Sequence, residues 1–341
     1  MTLLLTGDDV RALVTHEMAM AAARETVAAQ RAGRVVAPPR LDVDLPSGFL
    51  RVMPAALDPY MGLKVMSLAR GVGTRYLILV YAQASGELVA VLDADEVTRL
   101  RTAATTAVAG ALLAPRGAER IGLVGSGFEA EGHVRAFARE WPLREVRVFS
   151  PSVERRDRFA ARMSNELGVL VRPVATMAAA ISDVPVAVLC TKSRTPVVDG
   201  AAFAPGTVVL SIGSTRPDLR ELDEATLRRT AALLVDDARQ VCLESGDVSS
   251  ALECGALDAS RIVGMHEWPG VDGRATAGRD LLTFKSVGTA LQDLALATQL
   301  VDAASAAGGG RVLGELTRLK PFAAPPPEQL SALLEQGRQG H

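Results

Sequence analysis

The sequence predicts an α/β protein: a doubly wound parallel sheet joined to an α+β domain with an antiparallel sheet. Three observations predict it. At 341 residues the chain is long enough for about two domains of roughly 150 residues each. Between Arg40 and Val91 short alternating or β-branched runs are separated by turn signals, with no helical crossover between them. From Arg120 onward the texture changes, and apolar runs alternate with helical patterns.

Taken in order, residues 16 to 32 are Ala-rich and lack Gly and Pro. They set Met20, Ala23 and Val27 at helical spacing, so they read as an amphipathic helix ended by Gly33. The runs RLDVDL, GFLRVM, GLKVMSLA, YLILVYA and ELVAVLD then form a meander of antiparallel strands. Residues 93 to 114 return to helix, opening at Asp93 or Asp95 and closing before Pro115. RIGLVGSG is a buried strand running into a glycine turn, EAEGHVRAFARE a helix and EVRVFS a second strand. SVERRDRFAARMSNEL is a second helix, and VPVAVLC and GTVVLSIG are two further strands. A last helical stretch, SVGTALQDLALATQLVDAAS, ends at Gly308-Gly309-Gly310. The Pro-rich segment from Lys320 reads as a short capping helix or a frayed tail. The domains expected are 1–114 with 284–341, and 115–283 between them.

Composition narrows the function classes. Apolar residues make up 48% and charged residues 22%, which suits a folded core. Lys plus Arg number 37 and Asp plus Glu 39, so the net charge of −2 supplies no basic surface for nucleic acid. Cys190, Cys242 and Cys254 are odd in number, with no C-x-x-C pair, which argues against disulfides and a metal site. The short apolar start carries Asp8 and Asp9, unlike a signal peptide, and no run approaches the roughly 20 apolar residues that span a bilayer. A cytoplasmic protein with no membrane partner is expected.

Gly125-Ser126-Gly127-Phe128-Glu129-Ala130 fits G-x-G-x-x-A directly between a strand and a helix. Gly125 permits the tight turn, Gly127 lets backbone amides approach a pyrophosphate, and Ala130 lets the helix pack on the strand; the helix N-terminus adds partial positive charge. This is a Rossmann dinucleotide pattern. At the end of the second strand, where an NAD site usually has an acid, stand Ser150 and Ser152, with Arg155 and Arg156 close behind. Hydroxyls and arginines suit a 2′-phosphate, so the expected cofactor is NADP(H) or NAD(H), leaning to NADPH. Thr191 ends a parallel strand at the crevice edge where the nicotinamide ribose should lie. No histidine has a partner arrangement that would make it a general base.

Several segments together resemble the ornithine cyclodeaminase and mu-crystallin family. They are RVMPA at 51, GLK at 62, SGELVAVLDADEVTRLRTAATTA ending at 107, GSGFEA at 125, PGTVVLSIGSTRPDLREL at 205, ESGD at 244 and FKSVGTALQDLA at 284. The resemblance implies a homodimer and hydride transfer at an amino-acid Cα or its imine. It also implies a small substrate whose carboxylate is held by basic side chains, here Arg40, Lys64 and Arg101. Two guanidiniums can grip a carboxylate through paired charge-assisted hydrogen bonds. A lysine crowded by two arginines has a lowered pKa, making Lys64 the candidate proton donor. By the same resemblance Phe284, Lys285 and Ser286 open the returning helix near the nicotinamide.

One departure separates this chain from the cyclodeaminases. They carry an Asp after the strand placed at 208–212, and here Thr215 stands there, which cannot act as a general base near neutrality. The mu-crystallin branch, which resembles imine reductases, has a small hydroxyl followed by Arg-Pro-Asp, as this chain does in Thr215 to Asp218. The leading expectation is therefore an NAD(P)H-dependent reductase of an imine, or of a 2-oxo acid plus ammonia. A cyclodeaminase working without the Asp and a non-catalytic NADPH-dependent ligand-binding protein are the alternatives.

Overall fold

A computed structural model describes residues 1–114, 116–269, 280–314 and 316. The expected capping helix or tail from Lys320 lies outside them. The first sheet comprises β1 (Thr2–Leu5), β2 (Val35–Val36), β3 (Leu41–Leu45), β4 (Gly48–Leu57), β5 (Tyr60–Ala69), β6 (Gly73–Ala82) and β7 (Leu88–Asp93). A late strand, β16 (Arg311–Leu313), completes its eight. The meander β3 to β7 is antiparallel throughout, with Met53 opposite Lys64 and Lys64 opposite Ile78. The short apolar start, which carries no strand signal by itself, pairs parallel to β7 as β1 and antiparallel to β16.

The second sheet is parallel throughout. It contains β8 (Arg120–Val124), β9 (Glu145–Phe149), β10 (Leu170–Pro173), β11 (Val186–Leu189), β12 (Val208–Ser211), β13 (Thr230–Val235), β14 (Ile262–Gly264) and β15 (Leu281–Lys285), in the order 10-9-8-11-12-15-13-14. The order reverses between β8 and β11, so the ends of these strands form the crevice in which doubly wound sheets hold ligands. One expectation is corrected here. Phe284 and Lys285 do not open a helix: they end β15, which lies between β12 and β13, and the next helix begins at Ala290. LLTFK is buried at every position, so it lacks the alternation that marks a strand in sequence.

Helices join the two sheets. α1 (Gly7–Leu13) and α2 (His16–Arg31) lead from β1, and Gly33 ends the second at φ 66° as expected. α3 (Asp95–Leu113) packs against α2 on one side and α4 (Phe128–Glu140) on the other. Small residues allow the approach: Ala103, Ala104 and Ala107 are buried, and a Cβ on Gly110 would lie 2.9 Å from the Trp141 ring. His133 is buried between α3 and α4, bonded to Thr106 Oγ1 at 3.0 Å and the Glu129 carbonyl at 2.6 Å. Burial lowers its pKa, and its role is packing. The return helix Ala290–Ala307 runs against α2, α3 and the strands β4 to β6, with Leu291, Leu294, Ala295 and Leu296 in the core. No helix among the described residues is long and apolar enough to cross a membrane.

Candidate active site

Strand alternation turns Lys64 of β5 inward, and only 3% of it is exposed. Its Nζ lies 2.7 Å from Asp293 Oδ2 on the return helix. Arg101 of α3 donates from Nε to Asp293 Oδ1 at 2.9 Å and from Nη1 to Gln292 Oε1 at 2.7 Å. One buried carboxylate thus holds two of the three cations expected in the site. Burial lowers the Lys64 pKa to about 8, because a desolvated ammonium is costly; Asp293 opposes the shift, and Arg101 and Arg40 reinforce it.

Arg40 approaches from the segment before β3. Its Nη2 donates to the Val287 and Gly288 carbonyls, each at 3.0 Å, and forms an ion pair with Glu244. On the other side of the same turn, a Cβ on Gly288 would sit 2.6 Å from Arg101 Nη1, and φ is 76° there, so glycine lets the guanidinium close on the backbone. Arg40 Nε is buried without a hydrogen-bond partner among the described residues, a donor available to an incoming anion. Burial pushes the Glu244 carboxyl up to about 7 despite Arg40 and Arg51. Arg40, Arg51, Thr215 and Glu244 line a cleft of about 480 Å³. Lys64 and Arg101 do not line it; the Val287–Gly288 turn joins Arg101 to Arg40 at its edge.

The second sheet supplies the dinucleotide crevice. Gly125 has φ 118°, and a Cβ there would lie 2.6 Å from the Cys190 carbonyl, so only glycine lets β8 and β11 end side by side. A Cβ on Gly127 would meet nothing, which leaves the first turn of α4 open to the crevice. Glu129 Oε2, in that first turn, is buried with no partner among the described residues. Ser126 Oγ donates to Ser150 Oγ at 2.9 Å, tying the glycine turn to the end of β9. These features fit a nicotinamide dinucleotide, with the amides of Gly127 and Phe128 toward the pyrophosphate.

At the end of β9 the two arginines part company. Ser152 caps α5 (Val153–Leu167) by accepting from the Arg155 amide, and the Arg155 side chain is exposed. Arg156 instead turns inward, its Nη1 donating to the Ser150 carbonyl at 3.3 Å and its guanidinium 5.9 Å from the Phe149 ring centre.

Three of the expected cofactor contacts are held by buried acids. Glu221 accepts from Thr191 N at 2.6 Å, Thr191 Oγ1 at 2.9 Å, Ser211 Oγ at 2.7 Å and Gly213 N at 2.7 Å. Lys285, fully buried, lies 3.3 Å from Asp247 and 3.8 Å from Glu221 and donates to Ser211 Oγ at 2.9 Å. Ser286 Oγ donates to Asp236 Oδ2 at 2.7 Å, and Gln292 Nε2 reaches the same oxygen at 3.3 Å. Among the described residues the Lys285 ammonium and the Ser286 hydroxyl are engaged in bracing the strand ends, whereas Thr191 is half-exposed at the crevice edge.

Asp293, Gln292, Glu244, Glu221 and Asp236 are the participants that residue-by-residue reading did not single out. Asp293 and Glu244 lie inside FKSVGTALQDLA and ESGD, and a polar residue in the apolar run of the return helix was the available signal for Asp293.

Comparison with known proteins agrees with this fold. The family model described as the ornithine cyclodeaminase/mu-crystallin family matches residues 1–308. The mouse protein ketimine reductase mu-crystallin is 31% identical over 264 residues, covering 75% of this chain and 80% of the relative. Among solved structures, Thermococcus litoralis Delta(1)-pyrroline-2-carboxylate reductase in complex with NADH and L-proline superposes with a TM-score of 0.83 at 26% identity, covering 91% of this chain and 100% of that one. An archaeal alanine dehydrogenase dimer with bound NAD superposes with a TM-score of 0.82 at 27% identity, covering 91% and 98%.

Proposed function

The chain belongs to the ornithine cyclodeaminase/mu-crystallin family, and from that membership we infer that it is an oxidoreductase using NAD(P)H to reduce a C=N bond beside a carboxylate. The product is an amino acid, and the acceptor is a cyclic or linear imine, or a 2-oxo acid with ammonia. The observation that carries the reading is the buried Lys64–Asp293–Arg101 cluster beside a cleft that Arg40 borders.

A nicotinamide bound in the crevice would supply the hydride. The protein's own residues do the rest. Arg40, with its unpartnered Nε, and Arg101 hold the substrate carboxylate, which fixes the acceptor carbon. Lys64, which titrates at about 8, is protonated near neutrality and close enough to its pKa to release a proton to nitrogen. Thr215 donates or accepts a hydrogen bond at the imine or the amine product.

The exposed Arg155 beside Ser152 supports NADPH over NADH. A homodimer is supported by an apolar face that one chain leaves open on the first sheet: Leu41, Val43 and Leu45 of β3 are 64%, 48% and 54% exposed, and Leu50 of β4 and Leu77 of β6 are exposed as well.

One observation favours a second reading. Glu244 places a carboxyl that titrates at about 7 in the same cleft as Thr215, where a cyclodeaminase needs a base. A panel of cyclic imines and 2-oxo acids, followed at the nicotinamide absorbance with NADH and NADPH, tests the leading reading. Cofactor oxidation dependent on a carboxylate-bearing imine or keto acid supports it, and binding without turnover across the panel refutes it.

A further inference from the structure

The clamp residues are held by a carboxylate to which the reading above gives no part in the reaction. Asp293 is 1% exposed and meets Lys64 with one oxygen and Arg101 with the other. The arrangement is also fixed from behind. Gln292 accepts from Arg101 Nη1 and donates to Asp236 Oδ2. Asp236 in turn accepts from Ser286 Oγ at 2.7 Å and from Gly288 N at 2.8 Å, at the end of the second sheet. An ion pair from Lys64 to Asp293, continued by hydrogen bonds through Arg101, Gln292 and Asp236, therefore runs to the strand ends that border the cofactor crevice.

We propose that Asp293 is the positioning residue of the proton donor: its carboxylate aims the Lys64 ammonium, holds Arg101 in register with it, and keeps Lys64 charged beside two guanidiniums. Among the described residues, the groups facing Lys64 are few. From α3 comes Arg101, with the Thr98 hydroxyl at 3.5 Å; from the segment before β3, Arg40; from β6, the Tyr76 ring at 5.7 Å; from the return helix, Asp293 alone. Asp293 is the one negative charge among them. Removing it leaves burial, Arg101 and Arg40 all acting against the ammonium, without the carboxylate that opposes them. Lys64 then loses its proton at lower pH, and the step that needs that proton fails on the alkaline side first.

The inference rests on Lys64 as donor, and pH profiles of kcat/KM for reduction of a cyclic imine carboxylate separate the two claims. In the wild type, activity should fall with rising pH along a limb centred at about 8. In Asp293→Asn that limb should move down by about one pH unit or more, with a loss of roughly threefold or more just below the wild-type midpoint. In Asp293→Glu, which keeps the charge, the limb should stay near its wild-type position while kcat falls. Cofactor affinity, read by the fluorescence of the reduced nicotinamide, should be near wild type in both. A limb that is present but unmoved in Asp293→Asn would overturn the proposal and leave Lys64 as donor. Failure of Asp293→Asn and Asp293→Ala alike to fold would also overturn it, because the carboxylate would then be a structural requirement. Absence of the limb in the wild type, with activity retained in Lys64→Met, would remove the donor itself and this inference with it.

Discussion

Replacing Lys64 by methionine should sharply slow turnover and leave the protein as stable as before or more so. The lysine titrates at about 8 in the fold and at 10.5 when free, a difference of about 2.5 units. At about 1.4 kcal/mol per unit, holding it charged near neutrality costs about 3 kcal/mol, a figure that already contains the attraction of Asp293. Methionine matches the stem in length and carries no charge, and Asp293 keeps Arg101 as its partner. The variant should therefore gain up to about 3 kcal/mol near neutrality, while kcat falls by roughly 10²–10⁴ through loss of the proton donor.

The pH dependence has a definite sign. Between about 8 and 10.5 the unfolded lysine binds a proton that the folded one does not, so wild-type stability rises with pH across that window. The advantage of Lys64→Met should be full below it and gone above it. Denaturant unfolding of both proteins on either side of the window measures this. A variant that is less stable than wild type near neutrality would refute the reasoning, since the buried pair would then contribute more than its desolvation costs.

Arg101→Lys keeps the charge but not the planar fork that meets both Asp293 and Gln292, so kcat/KM should fall by roughly tenfold to a hundredfold with cofactor affinity unchanged; unaltered kinetics would remove Arg101 from the clamp. Arg155→Ala should weaken NADPH binding by roughly tenfold and leave NADH binding as it was, measured by titration with each, and equal losses for both would show that the side chain reads no 2′-phosphate. In Gly125→Ala the new methyl meets the Cys190 carbonyl at a φ of 118°, so thermal denaturation should show a lower Tm and titration a loss of both cofactors.

The fold was legible where the sequence has a period. The meander announces itself by alternation between PSG, GVG and ASG turns, and the first two strand–helix units of the second sheet by the glycine turn between β8 and α4. What escaped were strands without a pattern: LLTFK in β15 is buried along its whole length, and β1 and β16 are short segments whose pairing with each other and with β7 is tertiary. The site was legible in its cations, because Arg40, Lys64 and Arg101 sit in recognisable motifs. Its acids were not. Asp293 and Glu221 act across more than a hundred residues and across sheet ends respectively, and nothing local marks a carboxylate as the partner of a distant lysine or as a brace for Thr191. Arg155 and Arg156 look alike in sequence, and only the cap at Ser152 and the Phe149 ring decide which one faces outward.

The central claim, a single reductive step with no cyclodeamination, is tested most directly by one paired rate measurement on the same preparation. Imine reduction is followed with a cyclic imine carboxylate and excess reduced cofactor. Release of proline and ammonia is followed with ornithine and catalytic NAD. The account predicts steady cofactor oxidation in the first arm and no proline above background in the second, because Thr215 cannot act as a base. Proline released at a rate comparable to imine reduction would contradict it and would assign to Glu244 the proton handling that Thr215 cannot perform.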